Sequence, residues 1–178
     1  MKSFLREFLM TIIIAAIIVF AFQFSLQTFI VVMSSMEPSF HDGQRLLVNK
    51  AVYHFDEPER GDVVVFKAPN GRKGDYIKRV IALPGDIVEI KDSEVYINDS
   101  ALDEPYIMNP PQYTLEAQEV PKNQYFVLGD NRNNSDDSHH GWFVPREDII
   151  GKAWLSIWPP SVWQVVPDYP LNEALTGS

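Results

Sequence analysis

The sequence contains no cysteine. That excludes a disulfide framework, a thiolate metal site and a cysteine nucleophile, and it is compatible with an oxidising exterior without requiring one. An excess of positive charge is lacking as well. The 15 Lys and Arg are outnumbered by 24 Asp and Glu, for a net charge of −9, so the basic face that nucleic-acid phosphates demand is missing. There is no internal repeat and no long low-complexity linker. At 178 residues the length leaves room for one domain and little more. Thirteen prolines argue against long helices in most of the chain.

Long hydrophobic runs are scarce too, with one exception. Residues 8–33 hold no charge, and only Thr11, Gln23, Ser25, Gln27 and Thr28 among them are polar. The overall 46% hydrophobic content therefore averages a greasy segment with a fairly polar domain. About 20 apolar residues suffice to cross a bilayer. A cleaved secretory signal would have a shorter apolar stretch followed by small residues. Here the run is longer and Phe29, Ile30, Val31 and Val32 follow it, which favours a retained anchor. Lys2 and Arg6 precede the run and the first charge after it is Glu37, so the positive-inside rule sets the N-terminus in the cytoplasm. The expected organisation is a cytoplasmic N-terminus over 1–7, one transmembrane helix over 8–28, an extracytoplasmic β-rich domain over 29–170 and a C-terminal tail over 171–178, with the stretch after Pro167 reading as dispensable.

Beyond the anchor, short β-rich runs bounded by Gly, Pro, Asn and Asp predict strands over 45–49, 62–66, 76–81, 86–90, 94–98, 125–128 and 151–157. Asp92 and Ser93 between two such runs predict a hairpin with a tight turn. The fold class is all-β, a short-stranded barrel or sandwich. Residues 99–121, with four prolines, read as a surface excursion.

Three blocks carry candidate chemistry. Ser34, Ser35, Met36, Glu37, Pro38 and Ser39 follow the anchor directly, and a serine there could be a plain turn residue. In the run 76–81, Lys78 and Arg79 point to opposite faces of a strand, so a basic residue is forced inward whichever face is buried. Either this is an edge strand guarding against aggregation, or Lys78 is a lysine desolvated to work as a base, as in serine–lysine hydrolysis. The block 129–142 is rich in turn-formers and hydrogen-bonding side chains able to orient a buried amine. Its Asp136, Asp137, His139 and His140 also invite a metal reading, which is weak because no further ligand pattern accompanies them.

Together these blocks resemble the type I signal peptidases, membrane-anchored serine proteases. The match runs through the anchor, Ser35-Met36-Glu37-Pro38, residues 60–66, residues 75–79 leading into Leu83-Pro84-Gly85-Asp86, and Gly129-Asp130-Asn131-Arg132 with Ser135 and Asp137. The resemblance implies a compact bacterial enzyme with Ser35 as nucleophile and Lys78 as general base. It further implies Ser135 as a hydroxyl helping to hold the lysine, Asp137 in the supporting network, the Ser35 N–H as an oxyanion donor, and no metal or organic cofactor. Its partners would be preprotein signal peptides with small residues before the cut, and membrane lipid. Its place would be the outer face of the plasma membrane. Met33 stands where the family usually has Gly or Ser, and offers no hydroxyl to the oxyanion. His139 stands where many members carry Arg, so a salt bridge to Asp137 would depend on the imidazole's protonation. Gly141-Trp142 replaces the usual Trp-Gly. Two rivals remain: a catalytically weak or inactive relative that binds extended peptides as a membrane-tethered β-domain, and a self-cleaving serine–lysine repressor, disfavoured by the anchor.

Overall fold

The computed structural model describes residues 2–167, 169 and 171. It opens with helix α1 (Lys2–Ser25), which hands over without a break to strand β1 (Leu26–Ile30). The remaining strands are β2 (Arg45–Asn49), β3 (Val63–Lys67), β4 (Asp75–Ala82), β5 (Ile87–Lys91), β6 (Glu94–Ile97), β7 (Ser100–Ala101), β8 (Leu115–Glu119), β9 (Gln124–Leu128), β10 (Val144–Pro145), β11 (Ile149–Trp158) and β12 (Gln164–Val165). All seven runs predicted as strands are strands, within two residues at each end. The helix ends at Ser25, so residues 26–28, expected to finish the anchor, belong to a sheet. Among the described residues no helix is long and apolar enough to cross a membrane. Every described side chain of α1 from residue 6 to 17 is exposed, so this stretch of the helix is not packed against the β-domain.

Two antiparallel sheets make up the domain. The larger runs β1-β2-β11-β3-β4-β9-β10, with β12 beside β11, and the smaller runs β7-β6-β5-β8. The β5–β6 hairpin is the one read from Asp92 and Ser93. Their φ values of 51° and 64° give the two left-handed positions of the turn whose twist matches paired strands. One core lies where the sheets meet: Ile81, Val88, Ile90, Val95, Ile97, Phe126 and Leu128 are all buried there. A second forms on the other side of the β3–β4–β9 ribbon around Val64, Phe66, Val80, Val127 and Trp142. A third gathers Val31, Met36, Phe40, Leu46 and Val63 under the segment that follows β1.

Two expectations are corrected. Residues 99–121 are no surface excursion. They contribute β7 and β8 to the smaller sheet, and Leu102, Tyr106 and Val120 are buried, because the apolar face of that sheet needs a cover. The stretch after Pro167 is not dispensable, since Leu171 is buried with Tyr169 packed against the same core. The rest of the tail lies outside the described residues.

Candidate active site

Strand β4 lies between β3 and β9 but pairs with β9 only from Arg79 onward, so Lys78 is the last residue of a free edge; a lysine guarding that edge would keep its amine in water, and this one is buried. The register of β4 with β3 pairs Lys78 with Val64 and Arg79 with Val63. Both basic side chains are buried, at 4% and 0% exposure, on opposite faces. Each must find partners, because an unpaired buried charge is expensive.

Lys78 finds a hydroxyl. Its Nζ donates to Ser35 Oγ at 2.7 Å and to the Ile77 carbonyl at 3.0 Å. Burial pushes the amine down from 10.5 to about 8, while the charges of Asp137, Asp136 and Asp130 work to hold it up. Desolvation wins because no carboxylate touches the nitrogen directly. Arg79 finds a carboxylate. Its Nε and Nη2 donate to the two oxygens of Asp130 at 2.9 and 2.7 Å, its Nη1 donates to the Gly61 carbonyl, and Tyr106 covers it from 4.1 Å.

Ser35 is placed by what surrounds it in sequence. Val31, Met36 and Phe40 are buried on either side of it, which pins the turn while leaving Ser35 half-buried at the surface. The block 129–142 grips this turn from the other side. Asn131 donates its N–H to the Ser35 carbonyl at 3.0 Å and its side-chain amide to the Ser34 carbonyl at 3.1 Å. Asn134 donates to Ser34 Oγ at 2.9 Å, and Ser39 Oγ donates to Asp130 at 2.5 Å. Gly129 lies so close that a Cβ there would overlap the Ser35 carbonyl oxygen and Ser135 Oγ. The block is itself anchored by Arg132, buried and paired with Glu104 through two hydrogen bonds.

Asp137, fully buried, accepts from the Gly129 N–H at 2.8 Å and from His139 Nδ1 at 2.6 Å, so it organises the loop. Ser135 does not hydrogen-bond Lys78. Its Oγ is buried without a hydrogen-bond partner among the described residues and lies beside Gly129. Met33 has a φ of 71° and donates its N–H to Asp42 at 2.7 Å. His139 and His140 pair with Asp137 and Asp136, and no group of three or more such side chains among the described residues is arranged to hold a metal ion.

Asp130, Asn131 and Ser39 lay within blocks quoted from the sequence but were given no role there, and Asn134 and Glu104 were not singled out. Only Asp130 had a signal, since an arginine forced inward requires a buried carboxylate. Ser35 and Lys78 line a cleft of about 1350 Å³ whose walls are residues 29–35 on one side and 73–78, 112–113, 132–136 and 139–140 on the other. A buried, partly neutral amine beside a hydroxyl in an open cleft is an arrangement for nucleophilic acyl transfer.

Comparison with known proteins points the same way. The chain is 47% identical over 131 residues to a probable signal peptidase I-2 of Synechocystis, a match covering 71% of this chain and 60% of that protein. It is 44% identical to a probable signal peptidase I-1 of the same organism, over 80% of this chain and 76% of that one. It is 34% identical to a signal peptidase IB of Staphylococcus aureus, over 89% and 92%. The family described as signal peptidase, peptidase S26 matches residues 4–158. With the paired serine and lysine lying inside that span, the chain belongs to the signal peptidase family, peptidase S26.

Proposed function

We propose that this chain is a membrane-bound serine endopeptidase that removes N-terminal signal peptides from exported preproteins. Ser35 is the nucleophile and neutral Lys78 the general base. The observation that carries the reading is the 2.7 Å contact between Lys78 Nζ and Ser35 Oγ, made by an amine that burial lowers from 10.5 to about 8. As Ser35 Oγ attacks the scissile carbonyl carbon, Lys78 takes the hydroxyl proton, and the Ser35 N–H, which donates to no acceptor among the described residues, faces the developing oxyanion. Lysine returns the proton to the leaving amine, so the peptide bond breaks and an acyl-enzyme remains. Water then gives a proton to Lys78 and attacks the ester carbonyl; the signal peptide leaves with a new carboxylate, and Ser35 regains its hydrogen. These steps call for no metal or organic cofactor. Asp137 keeps the loop beneath Ser35 in place.

Two free strand edges favour an extended substrate. β1 ends the larger sheet, and β4 pairs with β9 only from Arg79 onward, leaving 75–78 unpaired on that side. Both edges line the cleft, so a peptide entering it can gain main-chain hydrogen bonds by strand addition, with small side chains before the scissile bond seated against the cleft wall.

The N-terminal run from residue 8 to the helix end at Ser25 is the anchor in this reading. The apolar side chains described between residues 8 and 17, all exposed, need lipid. Lys2 and Arg6 keep the first residues cytoplasmic and the catalytic domain, beginning at β1, sits on the outer face. Only nine residues separate the helix end at Ser25 from Ser35, which holds the nucleophile near the membrane plane where the substrate's own apolar segment emerges.

The test is incubation of the full chain in liposomes with a labelled preprotein, followed by sequencing of the new N-terminus. Cleavage after a small residue is expected, and loss of product in folded Ser35→Ala and Lys78→Ala variants. Near-wild-type turnover by either variant overturns the dyad. Tight peptide binding with no cleavage by the wild-type chain would instead favour the non-catalytic peptide-binding domain.

A further inference from the structure

Methionine supplies all the sulfur chemistry of this chain, because cysteine is absent. The described methionines differ in setting. Met10 lies on α1, on the stretch that the anchor reading gives to lipid. Met36 is wholly buried in the third core. Met108 is 67% exposed, in the segment between β7 and β8, and is not part of the cleft wall. Met33 is equally exposed, but it lines the cleft that holds Ser35 and Lys78.

The backbone presents Met33 to that cleft. Its φ is 71°, and a left-handed residue other than glycine needs support from its surroundings. Asp42 supplies it, accepting the Met33 N–H at 2.7 Å. Both flanks are fixed as well. Before it, Val31 is buried, donates its N–H to the Gln44 carbonyl at 2.8 Å and accepts from the Gly43 N–H at 2.9 Å. After it, Asn131 holds the carbonyls of Ser34 and Ser35. With the backbone held on both sides, the thioether stays in the cleft, two residues before the nucleophile.

A thioether open to water is oxidised by peroxides. The sulfur gives an electron pair to one peroxide oxygen, so an S–O bond forms, the O–O bond breaks and, from hydrogen peroxide, water leaves. Sulfur is oxidised by two electrons and the peroxide is reduced by two. A soft apolar group thereby becomes a strong dipole whose oxygen accepts hydrogen bonds and donates none. In this cleft a substrate carbonyl oxygen must itself become negative, and a second negative oxygen opposes that change. We propose that Met33 is a redox modification site of the peptidase: a peroxide converts it to the sulfoxide and slows cleavage, and reduction of the sulfoxide restores the rate. The inference rests on the serine–lysine reading above.

The experiment treats the full chain in liposomes with hydrogen peroxide, follows each methionine by mass spectrometry and measures cleavage of a labelled preprotein on the same samples. Met33 and Met108 should gain oxygen well before Met36, and kcat/KM should fall at least about fivefold in step with Met33 sulfoxide. Methionine sulfoxide reductase with dithiothreitol should restore it, the dithiol becoming a disulfide as the sulfoxide oxygen leaves in water; the chain has no disulfide of its own for the thiol to break. Treated in the same way, Met33→Leu should keep its own untreated rate, and Met108→Leu should lose activity as the wild type does. An undiminished wild-type rate with Met33 fully oxidised, or an equal loss in Met33→Leu, overturns the proposal. A second measurement needs no turnover. In Ser35→Ala, a saturating small-residue peptide should shield Met33 from peroxide and leave Met108 as reactive as before. Shielding in a chain whose wild type does not cleave would sink the peptidase reading and uphold the site, whereas Met33 oxidised equally fast with and without peptide overturns the proposal.

Discussion

Lys78 and Arg79, adjacent on β4, are both buried and face opposite sides of one strand, the first ending on Ser35 Oγ at 2.7 Å and the second on Asp130 at 2.7 and 2.9 Å. The strand's alternation thus divides two like charges between two tasks. Arg79 is neutralised by a carboxylate and stays charged. Among the described residues Lys78 hydrogen-bonds only a hydroxyl and a carbonyl, and so gives up its proton easily.

That contrast has a measurable consequence for Lys78. With its amine lowered from 10.5 to about 8, kcat/KM should rise as pH climbs through about 8, because only the neutral amine can accept the serine proton. The same displacement opposes folding. Below pH 8 both folded and unfolded chains carry the proton, and the folded state bears the full disadvantage, about 3 kcal/mol at ~1.4 kcal/mol per tenfold change in proton affinity. Between about 8 and 10.5 the unfolded chain binds more protons, so stability rises with pH and the disadvantage fades. Lys78→Met should therefore abolish cleavage while raising Tm at pH 7 by at least ~5 °C, with the gain shrinking above pH 8. Thermal melts at pH 6, 7, 9 and 10 check the sign; a methionine variant less stable than wild type at pH 7 would contradict it.

Arg79 makes the opposite case. Asp130→Asn leaves a guanidinium at 0% exposure without its counter-charge, and removing one partner of a buried pair costs about 3–5 kcal/mol. It also weakens the Ser39 hydrogen bond that ties the nucleophile's turn to the loop. The urea midpoint should fall accordingly and activity with it. The double variant Arg79→Met/Asp130→Leu should lose less stability than Asp130→Asn alone; a larger loss would mean that the pair's geometry outweighs its desolvation.

How far the site was legible follows from these residues. Lys78 announced itself because a charge in the middle of a β-rich run is a conflict within one strand, visible from alternation alone, and the strands were legible for the same reason. The partners were not. Asn131 and Asn134 reach Ser34 and Ser35 across about a hundred positions of sequence, and Glu104 reaches Arg132 from a proline-rich segment without period. Such contacts depend on how two sheets meet, which no local pattern encodes. The same holds for residues 99–121: Leu102, Tyr106 and Val120 lack periodicity, yet each fills the space that the smaller sheet opens. The end of α1 was misplaced by three residues because Leu26, Gln27 and Thr28 suit either a helix or a strand, and pairing with β2 decides it.

Met33 offers a test of the oxyanion site. It is 67% exposed and left-handed, with its N–H held by Asp42, so its side chain contributes little packing. Met33→Ser keeps the backbone bond and adds a hydroxyl two residues before the nucleophile. Stability should change by less than ~0.5 kcal/mol, and single-turnover cleavage should be preserved or accelerated, by up to the tenfold or more that one oxyanion donor can supply. A large fall in rate at unchanged stability would mean that the methionine side chain packs against bound substrate.

Gly129 is where the two halves of the site touch most closely. A methyl there would overlap the Ser35 carbonyl oxygen and Ser135 Oγ and come within 2.7 Å of Ser135 Cβ. None of these can yield cheaply. The Ser35 carbonyl is fixed by Asn131, the Gly129 N–H by Asp137, and the Gly129 carbonyl by Arg132. Gly129→Ala must therefore push the loop away from the nucleophile's turn, at a cost of about 1–3 kcal/mol in stability. Displacing Ser35 Oγ from Lys78 by even ~1 Å should lower kcat about a hundredfold. Adding Ser135→Ala to Gly129→Ala removes one of the overlapping atoms but not the carbonyl oxygen. The double variant should recover part of the lost stability and little of the lost kcat, and full recovery of both would place the clash at Ser135 alone.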